Sequence, residues 1–76
     1  MITLIKVKGS GNIDSIGYER KTHRLYIRFI GNKVYRYKKV PGLVWKGLQL
    51  AESKGSFFQQ WIVGNFDYET VDDSHM

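Results

Sequence analysis

Seventy-six residues with a hydrophobic fraction of 42%, five Tyr, four Phe and two Trp describe one small folded domain; a chain this short buries only about 60% of the surface it exposes when unfolded, which leaves no room for a second core. The lack of cysteine excludes a disulfide framework and a thiolate metal site, and suits the cytoplasm. All twelve Lys and Arg fall within residues 1–62 beside only Asp14, Glu19 and Glu52, whereas residues 63–76 carry Asp67, Glu69, Asp72 and Asp73; such a basic body favours polyanions such as nucleic acid, although solubility alone accounts for the same charge.

The opening run MITLI meets Lys6 and Lys8 too soon for a signal peptide or a membrane span, so no membrane partner is expected. TLIKVK (3–8) reads as a strand with Thr3, Ile5 and Val7 on one face, and GSGN (9–12) as a loop. IDSIGYE (13–19) is a second strand, RKTH (20–23) a polar turn, and RLYIRF (24–29) the clearest strand, with Leu25, Ile27 and Phe29 alternating against Arg24, Tyr26 and Arg28. VYRYK (34–38) completes a hairpin around Gly31-Asn32.

The period then changes. Val44, Leu48 and Ala51 recur at helical spacing, with Leu43, Trp45, Gly47 and Leu50 widening the stripe and Pro41 placed at the start. SKGSFFQQWI (53–62) is a second short helix, capped by Ser53 or by Ser56 with Gln59, whose apolar face is Phe58, Trp61 and Ile62. FDYETV (66–71) adds an edge strand, and residues 72–76 fray after a single domain over 1–71. Strands followed by helices and one more strand give an α+β fold with a small antiparallel sheet.

Hairpin register decides what the tyrosines do. A two-residue loop places Val34, Arg36 and Lys38 on the core face, whereas a three-residue loop places Tyr35 and Tyr37 there and turns Arg36 outward. Burying an unpaired guanidinium costs several kcal/mol while a tyrosine ring gains by burial, so the comparison selects the second register. Arg24, Tyr26, Arg28, Arg36 and Lys38 then share the outer face, where cations at alternate positions track a phosphodiester backbone and Tyr26 stacks on a base. A solvated charged face is the competing explanation.

SIGYE, RLYIRF, VYRY, VPGLVWKGL, AESKGSFF and DYETV, in this order and spacing, resemble the KTSC domain, named for its occurrence at the C-terminus of some lysyl-tRNA synthetases. The likeness covers residues 10–71, with Ser15, Gly17, Tyr18, Tyr35-Arg36-Tyr37, Val40-Pro41, Ser53-Lys54-Gly55 and Phe58 as its markers. Such domains also stand alone in bacterial and phage proteins, and the resemblance implies RNA binding. Ser53, Lys54 and Gly55 suit a phosphate oxygen by their free amides, small glycine and ammonium, and suit a plain helix cap equally.

His23 lies in a turn, His75 in the tail, and the serines lack a nearby histidine, so neither catalysis, a cofactor nor a metal site is expected. Two readings follow: a module that binds RNA or single strands through the basic sheet face, and a protein-interaction module, or homodimer, using the strand edge at residues 2–8 or Trp45 and Trp61.

Overall fold

In the computed structural model, which describes residues 2–72, strands β1 (Ile5–Lys6), β2 (Ile13–Glu19), β3 (Arg24–Phe29), β4 (Val34–Tyr37) and β5 (Tyr68–Val71) form one antiparallel sheet in chain order. Helices α1 (Gly42–Leu50) and α2 (Lys54–Phe57, continued as a π-helical turn over Phe58–Ile62) lie between β4 and β5 and cover one face. This is the α+β arrangement expected from the order of periods. The expected fraying over 72–76 falls, beyond Asp72, outside the described residues.

Alternation in β2 and β3 builds the core. Ile16, Leu25 and Ile27 from the sheet meet Leu48 of α1 and Phe58 and Ile62 of the second helix, and all six are buried; each contributes on the order of 1.5–3 kcal/mol by leaving water. Gly47, a costly residue in a helix interior, has its reason here, since a Cβ at that position would come within 2.8 Å of the Phe57 ring.

The hairpin between β3 and β4 has a three-residue loop, Ile30-Gly31-Asn32, closed by a Phe29 N–H bond to the Lys33 carbonyl at 2.8 Å. Tyr35 and Tyr37 therefore share the face of Leu25, Ile27 and Phe29, and Arg36 the other, as the cost of burying a guanidinium requires. The pairing itself is displaced by two residues, with Leu25 opposite Tyr37 and Ile27 opposite Tyr35, because the loop begins at Ile30 rather than after it.

Three expectations are corrected. The first strand is two residues long rather than six, because Ile2–Leu4 leave the sheet plane. Leu43 and Leu50 face solvent, since α1 turns its Val44, Trp45 and Leu48 side inward. Trp61 is 56% exposed because the Val63 N–H reaches back five residues to the Phe58 carbonyl, widening the turn so that Ile62 follows Phe58 into the core.

Candidate nucleic-acid interface

The outer face of the sheet is built from rows of cross-strand neighbours. Gly17, Tyr26, Arg36 and Glu69 lie side by side across β2, β3, β4 and β5. At Gly17 the strap Ile2–Leu4 crosses the face so closely that a Cβ would stand 2.7 Å from Leu4 Cδ2 and 2.9 Å from the Thr3 carbonyl; glycine in a strand marks such an approach of another backbone. Tyr26, next in the row, is 5% exposed. Its ring lies 5.9 Å below the Arg36 guanidinium, so the aromatic face expected to receive a base is already covered.

Glu69 changes the charge of that face. Arg36 donates from Nε to Glu69 Oε2 at 2.7 Å and from Nη2 to the same oxygen, and Lys38 Nζ lies 3.4 Å from Oε1. The hydrogen bonds from Arg36 hold the Glu69 carboxyl below its ordinary range against the opposing effect of desolvation. Of the expected cations, Arg24, Arg28, Arg36 and Lys38 do lie on this side of the sheet, but two of the four share one carboxylate. The carboxylate comes from β5, which the fold pairs with β4 so that Glu69 stands beside Arg36.

The Ser53-Lys54-Gly55 set is elsewhere, in the helical layer. Ser53 is the cap of α2, its Oγ accepting from the Ser56 N–H at 3.2 Å. Lys54 Nζ donates to the Gln49 and Ala51 carbonyls, each at 3.1 Å, and so satisfies the free end of α1. Gly55 abuts the 9–12 loop, 3.3 Å from Asn12 Oδ1 to where a Cβ would stand. These residues join the two helices to a loop and do not meet the outer-face cations.

The helix-side edge supplies what the outer face lacks. Tyr68 of β5, opposite Tyr37, is 52% exposed and stacks on Tyr35 with ring centroids 4.8 Å apart and planes at 22°. Phe29 and Tyr37 support Tyr35 and Tyr68 from below at 5.1 and 5.2 Å. The buried Tyr37 hydroxyl is pushed up to about 12, first by desolvation and then by the neighbouring tyrosines. Tyr68 separates two clefts, one of about 310 Å³ that includes Lys33, Tyr35 and Gln59, the other of about 970 Å³ that includes Lys38, Lys39, Asn65 and Asp67. Lys33 and Lys39 bracket the two tyrosines of β4 in the sequence; Tyr68 carries only the strand signal of DYETV, and its pairing with Tyr37 is what sets it on the face of Tyr35.

A profile of the KTSC domain matches residues 9–66. The chain belongs to the KTSC domain family. It is 44% identical over 68 residues to a lysine–tRNA ligase of Nostoc punctiforme and 42% identical to one of Trichormus variabilis, in each case covering 90% of this chain and 12% of the ligase. The chain thus spans a small part of those curated relatives. A crystal structure of a KTSC domain protein from Yersinia pestis superposes with a TM-score of 0.89 at 32% identity, covering 95% of this chain and all of that one. The strap that closes the outer face lies before the matched segment.

Proposed function

We propose that this KTSC domain is a nucleic-acid-binding module for RNA or other single strands, acting by binding rather than catalysis, in the cytoplasm. The observation that carries the reading is Tyr68, half exposed, stacked on Tyr35 and set between clefts that hold Lys33 on one side and Lys38 and Lys39 on the other. An exposed ring among cations stacks on a base of any sequence while the lysines neutralise adjacent phosphates. The kinship with segments of lysine–tRNA ligases supports a nucleic-acid setting. Arg24, Arg28 and Arg36 of the outer face add to the attracting field and are not its stacking platform.

Fluorescence anisotropy with labelled single strands, duplexes and heparin tests this. With Lys38 engaged by Glu69, the two lysine–phosphate contacts of Lys33 and Lys39 give a slope of log affinity against log salt of about −1.4, from roughly 0.7 per neutralised phosphate. Tyr68→Ala is expected to cost about 1–3 kcal/mol of single-strand binding, as loss of one stacked base does, with the salt slope unchanged. Lys33→Glu with Lys39→Glu is expected to flatten the slope. Heparin binding as tight as RNA and indifferent to Tyr68 contradicts the proposal.

A second reading has its own observation. Leu43, Leu50 and Trp61 are 82%, 74% and 56% exposed on the helical elements, and exposed apolar side chains of this size suit a protein surface. Under this reading Trp61→Ala abolishes capture of a protein partner and leaves strand binding intact.

A further inference from the structure

A third cleft lies on the opposite side of the 38–40 segment, between the β2–β3 turn and α1, and none of the roles above uses it. Its volume is about 590 Å³, and its lining includes Tyr18, Arg20, His23, Trp45, Lys46 and Gln49. We infer that this cleft is a second ligand site, specific for a nucleotide: a planar base carrying a phosphate.

The chemistry of the walls sets the ligand class. Tyr18 and Trp45 stack on each other, centroids 5.5 Å apart and planes at 12°, and with Trp45 only 8% exposed the pair lines the cleft as a rigid apolar wall rather than an open stacking platform. Arg20 from the turn and Lys46 from the helix stand at its rim, and no carboxylate lines it. Among the described residues neither cation hydrogen-bonds or ion-pairs with an Asp or Glu, in contrast to Lys6 with Asp14 and Arg36 with Glu69. Two cations left in one concavity with no internal anion are suited to a phosphate. Gln49 offers an amide with both donor and acceptor for the edge of a base.

Hydrogen-bond accounting fixes the remaining wall. The single Tyr18 hydroxyl proton goes to the Val40 carbonyl at 2.5 Å, so at the 3.2 Å contact with His23 Nδ1 the imidazole must donate. His23 is thereby oriented with Nδ1 protonated, and Nε2 is the ring atom left for a ligand. The turn is tied down as well, because the Val40 N–H donates to the His23 carbonyl at 2.8 Å. The cleft is preformed, of a size that ordinary small-molecule sites have, with an apolar wall and a few placed polar groups.

A nucleotide reaches such a site from two sources, as a free mononucleotide or as the phosphorylated end of a strand. The site is independent of the Tyr68 edge, sharing no side chain with it. The test is a two-dimensional NMR titration of the protein with uridine and adenosine monophosphates, inorganic phosphate, and ten-residue oligouridylates with and without a 5′-phosphate. Saturable shifts at His23, Lys46, Gln49 and the Trp45 indole with a mononucleotide support a free ligand; the same shifts only with the phosphorylated oligomer support a strand end. Arg20→Glu and Lys46→Glu are expected to weaken that binding at least tenfold while thermal unfolding is retained, because both side chains are exposed. Gln49→Ala is expected to reduce discrimination between the two bases. Inorganic phosphate binding as tightly as the nucleotides, or no saturable shift at these residues with any probe, overturns the inference. Tyr68→Ala leaves nucleotide binding here unchanged if the inference holds, so failure of the strand-binding proposal and failure of this one are read separately.

Discussion

On the helix side of the sheet the Leu25–Tyr37 and Ile27–Tyr35 pairs lie among Leu48, Phe58 and Ile62, whereas one residue along the same strands the Tyr26–Arg36 pair lies beneath a carboxylate from β5 and next to a three-residue strap. Both faces are largely closed, one by apolar packing from two helices and the other by an ion pair and a glycine that admits a backbone. Their difference teaches where a ligand can enter. A base stacks only on an aromatic ring that neither device covers, and among the tyrosines of β3, β4 and β5 the exposed one is Tyr68, at the edge strand that follows the helices.

The largest effect separates the two faces by stability. Tyr37→Ala removes a buried ring held by Phe58 and Tyr68 and is expected to cost about 3 kcal/mol or more in urea unfolding. Gly17→Leu forces the strap off the outer face, with an expected cost of about 1–3 kcal/mol from overpacking. Truncation of residues 1–4 is expected to remove most of that cost, because the clash partners are gone. Additive effects of the two changes would show that the strap does not rest on Gly17.

Titration sharpens the comparison. On the helix side, the Tyr37 hydroxyl is raised from its ordinary value of 10.0 to about 12 by burial, so its contribution is fully present below pH 10 and is lost as pH rises from 10 through about 12. Thermal unfolding against pH is expected to fall there, and Tyr37→Phe to flatten that limb. On the outer face the Glu69 carboxyl is lowered by Arg36, so its contribution is present above the ordinary glutamate range and is lost as pH falls through the lowered value. Glu69→Gln is expected to remove that acid limb with the smallest stability change of the set, since a partly exposed pair screened by solvent contributes little.

Much of this fold was legible because local signals agreed. Alternation in RLYIRF, the shift to helical spacing after Pro41 and the residues of the KTSC motifs all gave the right element types, and the cost of burying Arg36 chose the correct face for Tyr35 and Tyr37. What covers the outer face was not legible, for a long-range reason. Its openness depended on Glu69, thirty-three residues from Arg36, and on a strap whose only sequence mark was Gly17 in the middle of a strand. Lys54 looked like a phosphate ligand because its neighbours are small and polar; the carbonyls it serves belong to the preceding helix and come near only when both helices pack. Tyr68 was visible as an alternating strand residue, but its partner Tyr35 came from β4, across two helices.

The direct measurement is amide and aromatic chemical-shift mapping of the protein as single-stranded RNA is added at low salt. Binding at the edge strand is expected to move the signals of Tyr68, Tyr35, Lys33 and Lys39 first and most, with Gly17 and Tyr26 nearly still. Saturable shifts centred on Gly17, Tyr26 and Arg36, with Tyr68 unmoved, would mean that the strap opens and that the outer face is the interface after all.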